Sequence, residues 1–475
     1  MNYQDYLDKS GEFGIVKEVR HPIVVGSGLP HARPQETVVF ETGETGEILY
    51  IGRENFEALV FAGSPVKVGT QITRTGEILS VPVGEELLGE VINPLGRSVS
   101  LTKKAVYPKQ SREIDQTAGG IMTRARIEKE LKTGVCLVDL LLPLGKGQRE
   151  LIIGDRKTGK TSFLLTAAKT QAKEGSLVIY AVIGKKKSDI KKLQEFMEKE
   201  KLTRKMTIVA SAADDAPSLI YLTPYTAMTI AEFFRDQGQD CLVILDDLST
   251  HSRVYREIAL LGHSFPGRDS YPGDIFYVHS KLLERAGNFK IEGCRSPVAI
   301  SCLPVAETVE GDLSGYIATN LMGMTDGHIF FDSGIYAKGH RPAINIALSV
   351  TRVGRQTQSK LKREINQALT AFLTEWEKLQ DYSHFGAELS PEVKSAIARG
   401  EQIHSFFNQH YNFDFPTEVQ LVLFALIWSD QVKDVSLTRD ELIAEYQAKP
   451  EKFQKATAVE SMAELIKNVS ANFKF

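Results

Sequence analysis

At 475 residues, with 42% hydrophobic and 25% charged side chains, the chain has ordinary globular composition and room for about three domains. A net charge of −3 and a pI near 6.4 give no electrostatic reason to expect a nucleic-acid partner, which demands a basic stripe or domain. Four scattered cysteines without CxxC spacing read as buried thiols of a reducing compartment, neither metal ligands nor disulfides.

The first residues carry no charged-apolar-small leader, and no apolar run approaches the ~18 residues that would span a bilayer. The expectation is a soluble intracellular protein that meets a membrane only through partners. From Gly14 to about Ser80, short apolar runs are broken by Gly, Pro and Asn: 14–16, 22–25, 37–40, 47–51 and 58–61. Several short strands with turn signals between them predict a small β-barrel over residues 1–80. Nothing in this module suggests chemistry.

Over residues 81–357 strands alternate with helical stretches, the pattern of a parallel sheet covered on both faces. Strands are predicted at 177–183, 206–210, 241–245 and 298–302. Ahead of them the apolar run Leu151–Ile153 leads into GDRKTGKTS, residues 154–162, and then into the helix-prone Phe163–Ala168. Strand, glycine loop and helix together form a phosphate-binding P-loop made of Gly154, Asp155, Arg156, Lys157, Thr158, Gly159, Lys160, Thr161 and Ser162. Gly154 and Gly159 let consecutive N–H groups point into one concavity, and the following helix adds its positive end. Lys160 is expected on the β- and γ-phosphates of bound ATP, or on the β-phosphate if the ligand is ADP, and the Thr161 hydroxyl on Mg²⁺. The run Cys241–Leu245 then delivers Asp246 and Asp247. An acid closing an apolar strand is most often a turn or cap residue, but behind a P-loop it reads as the Walker B carboxylate, so Asp246 is the second expected Mg²⁺ residue. Asp247 is taken as its structural neighbour. Beyond about residue 358 helical periodicity takes over, as in 361–379, 419–428 and 441–446, giving a helical domain over 358–475.

Five stretches carry a family resemblance: VPVGEELLGEV (81–91), GKGQRELIIGDRKTGKTS (145–162), LVILDDLS (242–249), PGRDSYPGDIFYVHSKLLERA (266–286) and RPAINIALSVTRVG (341–354). Together, in this order, they resemble the α subunit of F-type ATP synthases, from roughly Gly14 to Trp428. The resemblance implies the same architecture: β-barrel, RecA-like P-loop NTPase domain with a parallel sheet, helical C-terminal domain. It also implies an alternating hexameric ring in which three such subunits sit between three catalytic β subunits around a γ-type shaft. Further F-type subunits would accompany that ring on the cytoplasmic or matrix-like side of an energy-transducing membrane, in ATP synthesis or hydrolysis coupled to hydrogen-ion transport. Arg352 matches the arginine finger of the family's SVSRVG motif, which acts in trans on a neighbouring subunit and is worth roughly 10³ to 10⁵ in rate in phosphoryl-transferring enzymes. Outside that motif it would read as an ordinary surface arginine. Arg341 and Pro342 resemble residues that line the family's adenine pocket, and Gln409 falls where a glutamine of that pocket lies.

Hydrolysing subunits of this superfamily carry a Glu just after the strand that follows the P-loop helix, and α subunits a Gln. This chain has Lys185 there. A protonated lysine cannot take a proton from water, so the expected role is non-catalytic nucleotide binding. Other departures from the family are Lys157 for Gln in the P-loop, Tyr411 for a second adenine-pocket Gln, His263–Ser264 for a basic pair, and a reduced glycine-rich stretch before Val298. With only about a dozen residues ahead of the barrel, the helix that engages the peripheral stalk is expected to be missing. These departures also suit the α-like subunit of a related motor not coupled to protons. Two rivals are a Rho-type hexameric RNA translocase and a catalytic β-like subunit. The missing base argues against both, and the acidic balance against the first.

Overall fold

The computed structural model describes residues 2–63, 66–99, 108–262, 266–383, 391–410, 413 and 415–473. His263, Ser264 and Tyr411, three of the departures noted above, lie outside the described residues. The chain falls into two compact units. One comprises Met1–Ala125, Gly175–Glu307 and Leu313–Thr325, and the other Arg126–Glu174, Thr308–Asp312 and Asp326–Phe475.

The first unit opens with a helix, Tyr3–Ser10, started by a capping box in which the side chains of Asn2 and Asp5 each accept the other's backbone N–H. Six strands then close a barrel: β1 (Gly14–Arg20), β2 (Ile23–Ser27), β3 (Glu36–Phe40), β4 (Thr45–Ile51), β5 (Phe56–Val60) and β6 (Gln71–Ile78), in the order β1-β2-β5-β4-β3-β6. Alternate residues point inward, and Val16, Val24, Val38, Phe40, Ile48, Phe56, Ala58 and Ile72 fill the lumen. The apolar runs marked five of these strands but not β6. Its buried side chains include Thr73 and Thr75, whose hydroxyls donate to the carbonyls of Glu12 and Thr37. The strand hides polar groups by bonding them and so shows no apolar run.

The same unit holds a parallel sheet in the order Val91–Ile92, Met206–Ala212, Leu177–Lys185, Cys241–Asp246, Val298–Glu307. Its strands are near-continuous apolar runs because both faces are covered, one of them by the helix Pro217–Asp236. The register places Val182 opposite Asp246. The strand Leu177–Lys185 then slips against its other neighbour between Val182 and Lys185. Gly184 adopts φ +60° there, and a Cβ on it would come within 2.9 Å of Thr250 Cγ2. The kink takes Lys185 off the regular pleat.

In the second unit, Glu150–Gly154 pairs in parallel with Gly327–Phe331, to which Val350–Thr351 adds antiparallel. Gly327–Phe331 had no sequence signal beyond a short apolar run. Behind these strands come the helices Lys360–Ser383, Pro391–Phe407, Thr417–Trp428, Val435–Ala448, Pro450–Thr457 and Met462–Asn472. Thr417–Trp428 is buried without interruption from Val419 to Ile427, as a helix apolar on every side must be. Phe406 and Phe407, which no motif claims, belong to this core. Among the described residues no helix is long and apolar enough to cross a membrane.

Candidate functional site

In the second unit the chain turns at Gly154, where φ is +150° and a Cβ would press to 2.2 Å from the carbonyl oxygen of Phe331. Lys157 takes φ +63° and Gly159 φ +102°, so the loop curls back before the helix Lys160–Lys173. That helix starts without a side-chain cap, leaving first-turn N–H groups for an anion. One bond ties the loop internally, Thr158 donating to the Asp155 carbonyl at 2.7 Å, and two hold it from outside, Asp155 Oδ1 accepting from Thr308 Oγ1 at 2.6 Å and from the Gly311 N–H at 2.9 Å. Burial pushes the Asp155 carboxyl up, but these bonds outweigh it and hold its pKa below the ordinary value. Lys160 Nζ is folded back on the carbonyls of Gly154 and Asp155, each at 2.6 Å. Arg156, Lys157 and Thr161 are exposed, and Ser162 is half-buried. The loop is therefore braced from behind, and its outer face carries cationic and hydroxyl groups suited to phosphate oxygens.

Arg341, Pro342 and Gln409 also belong to this unit. The Arg341 guanidinium lies over the Tyr336 ring and donates to the carbonyls of Tyr336 and His340. Arg341 and Pro342 line a cavity of about 1090 Å³ with His340, Trp376, His404 and Asn408. The Gln409 amide is turned onto backbone: Oε1 accepts from the Cys136 N–H at 3.1 Å, and Nε2 donates to the carbonyls of Gly134 and Phe413 at 2.7 and 3.1 Å. Arg352 has its N–H on the Asp326 carbonyl, and the Asp326 carboxylate is gripped by Arg149 at 2.9 Å. Its own side chain is exposed and makes no hydrogen bond or ion pair among the described residues. An anchored backbone under a free guanidinium suits an arginine that acts on something outside its own chain.

In the first unit Asp246 ends its strand, and Asp247 caps the helix Leu248–Leu261 by accepting the Thr250 N–H at 2.6 Å. Lys185 Nζ reaches both acids, at 3.0 Å from Asp246 Oδ1 and 2.5 Å from Asp247 Oδ2. The buried Tyr180 hydroxyl donates to Asp246 Oδ2 at 3.0 Å. Burial pulls the lysine pKa down, but the two carboxylates outweigh it and hold it above the ordinary lysine value. Burial likewise pushes Asp247 up, and Lys185 with Thr250 brings it below the ordinary carboxylate value. For Asp246 burial wins, and its pKa is raised. The sequence identified Lys185 by position but not what it binds, and Tyr180 carried no signal beyond its place in an apolar strand.

The expected Mg²⁺ role of Asp246 meets a physical objection. A divalent cation needs carboxylate oxygens, or waters held by them, and all four oxygens of the pair already have a donor. The donor set as it stands does not fit a divalent cation at Asp246. The P-loop, by contrast, fits the phosphates of a nucleotide.

Comparison with known proteins agrees with this fold and loop. The ATP synthase alpha/beta family, nucleotide-binding domain, matches residues 134–351, and the ATP synthase alpha/beta chain, C terminal domain, matches residues 358–472. An ATP synthase subunit alpha from Neorickettsia sennetsu is 36% identical over 423 residues, which span 87% of this chain and 82% of that protein. A barrel, a P-loop sheet domain and a helical domain in this order, with that identity over most of both chains, leave one assignment: the chain belongs to the ATP synthase alpha/beta family, as an F-type alpha subunit.

Proposed function

We propose that this chain holds a nucleotide without hydrolysing it and lends an arginine finger to a neighbouring catalytic subunit. The observation that carries the reading is the Lys185 clamp on Asp246 and Asp247. A hydrolytic site needs a group there that can accept a proton from the attacking water, and a lysine whose pKa is raised by two carboxylates stays protonated. The P-loop residues 154–162 take the phosphates of ATP or ADP, while Arg341, Pro342 and Gln409 belong to the base end. A nucleotide present at about a thousand times its dissociation constant adds roughly 4 kcal/mol to the folded state, so holding one stabilises the ring.

Arg352 supplies a fixed positive charge at the γ-phosphate in the adjacent β subunit, and its exposed, unpaired guanidinium supports that use. The partners are then β subunits alternating with this chain around a γ-type shaft, on the cytoplasmic or matrix-like side of a membrane reached through other subunits. We keep 1–80, 81–357 and 358–475 as the proposed domain division.

The test is ATP hydrolysis by the purified chain alone and after mixing with its cognate β subunit. The chain alone should be inert and the mixture active, with Arg352→Ala lowering the mixture's rate by roughly 10³ or more while nucleotide binding to this chain survives. Hydrolysis by the chain alone at enzymatic rates would overturn the reading.

A further inference from the structure

Arg352 stands on a post built entirely within the second unit. Glu150, Gly327 and Thr351 lie in one row across three strands, since Glu150 pairs with Gly327 and Gly327 with Thr351. The Glu150 carboxyl lies over Gly327, where a Cβ would come within 2.6 Å of Oε2 and 2.9 Å of Oε1. Gln148 Nε2 joins the two ends of the row, donating to Glu150 Oε2 at 2.7 Å and to Thr351 Oγ1 at 3.3 Å. Thr351 Oγ1 in turn donates to the Pro143 carbonyl at 2.9 Å and accepts the Gly354 N–H at 3.2 Å, which ties the chain down on both sides of Arg352.

Glu150 is the odd member of this post. It is 1% exposed, and its Oε1 has no hydrogen-bond partner. Ionised, it would strand a negative charge away from water. Burial pushes its pKa well above the ordinary carboxylate value; the Gln148 bond and the Arg352 charge pull it down, Asp326 adds to the rise, and burial wins. Arg149 is engaged by Asp326 at 2.9 Å, and His328, next on the middle strand, gives its Nε2–H to the Leu348 carbonyl at 2.9 Å. The cation whose field reaches Glu150 is then Arg352. An anion there would offset part of the positive charge that Arg352 presents, whereas a neutral acid leaves it whole.

We propose that Glu150 is a positioning residue for Arg352 and acts as an uncharged acid: it props the 350–354 turn through Gln148 and Thr351, and it leaves the guanidinium charge undiminished for a phosphate on a neighbouring subunit. The inference rests on the reading of Arg352 as an arginine finger and deepens it by naming what aims the finger.

The experiment is ATP hydrolysis by the full chain mixed with its cognate β subunit, for the wild type, Glu150→Gln and Glu150→Ala, each with Arg352 present and with Arg352→Ala. Glu150→Ala should lower kcat about tenfold and move KM less than about twofold, the pattern of a lost interaction made only in the transition state. Glu150→Gln, neutral and of the same shape, should stay within about threefold of the wild type. On the Arg352→Ala background, read in single turnovers, Glu150→Ala should cost less than about twofold more, because what it aims is already gone. An equal loss on both backgrounds makes Glu150 merely structural and overturns the inference, as does a Glu150→Gln variant as slow as Glu150→Ala. An Arg352→Ala mixture as fast as the wild type overturns the arginine-finger reading itself. Should Glu150→Ala not fold, Gln148→Leu takes its place in the cycle, since it cuts the same link to Thr351. Infrared difference spectra of the full chain, wild type minus Glu150→Gln at neutral pH, test the charge separately: the carbonyl stretch of a protonated carboxyl is expected, and a carboxylate band in its place overturns the inference.

Discussion

Lys160 and Lys185 are both held by oxygen acceptors, yet they are held for opposite purposes. Lys160 is folded onto the carbonyls of Gly154 and Asp155, and each carbonyl has a second donor, the Thr308 N–H at 3.2 Å and the Thr158 hydroxyl at 2.7 Å. Removing the ammonium therefore strands neither carbonyl. Lys185 is held by two carboxylates, and without it they would keep only Tyr180 and Thr250 as donors. The first lysine is parked where phosphate can claim it, and the second is part of the structure it stabilises. Breaking a buried ion pair from one side is costly, whereas giving up ammonium bonds to neutral carbonyls that each keep another donor is less so.

The sharpest way to break this contrast is to remove each charge in turn. Lys185→Met should cost about 3 kcal/mol at neutral pH, because it leaves two buried carboxylates without a counter-charge. Thermal melting of the nucleotide-free chain checks this, and the pH dependence identifies the cause. With the lysine gone, burial favours the protonated acids, so the loss should shrink as the pH falls from about 8 to about 5.5. A deficit that stays constant across that range would mean the cost is lost packing. Lys160→Met should instead leave the melting midpoint of the nucleotide-free chain within about 1 kcal/mol of wild type and weaken ADP binding roughly 100-fold. A large loss of stability in Lys160→Met would end the distinction between the two lysines.

The two lysines were unequally legible in the sequence. Lys160 sits in a contiguous motif, so GDRKTGKTS announced the turn, although the Thr308 and Gly311 donors that hold Asp155 and the Phe331 carbonyl against Gly154 come from distant parts of the sequence. Lys185 was legible as an absence: a lysine at a position where chemistry wants a carboxylate. What it binds depends on parallel strand pairing that brings residue 182 opposite residue 246, and no local pattern encodes that. The register slip at Gly184 was equally hidden. The barrel shows the same division. Five strands bury apolar side chains and were found from them, while β6 buries bonded threonines and was not. Gln409 was placed from resemblance beside the base, and its amide is engaged by the nearby Phe413 backbone and by the backbone of Gly134 and Cys136, some 275 positions away in sequence.

A finer cut through the clamp removes a neutral donor in place of the charge. Tyr180→Phe takes away the hydroxyl on Asp246 Oδ2 and leaves Lys185 in place. It should cost about 1 to 2 kcal/mol, well short of Lys185→Met, because one acceptor oxygen is stranded but the ion pair survives. A loss equal to that of Lys185→Met would show that Tyr180, and not the ammonium, organises the pair.

The smallest effect lies on the alkaline side and tests the clamp without altering it. A lysine whose folded pKa is raised contributes stability that is fully present below its unfolded value, about 10.4, and is lost as the pH climbs through the folded one. Only the part of that window that melting experiments can reach, from pH ~10 upward, is visible, so the expected signature is a shallow extra decline in wild-type stability. Lys185→Met has no such group and should lack that component, so the gap between the two melting curves should narrow as the solution becomes more alkaline. Lys185→Arg sharpens the point, because a guanidinium does not deprotonate in this range and should keep the gap open where lysine lets it close.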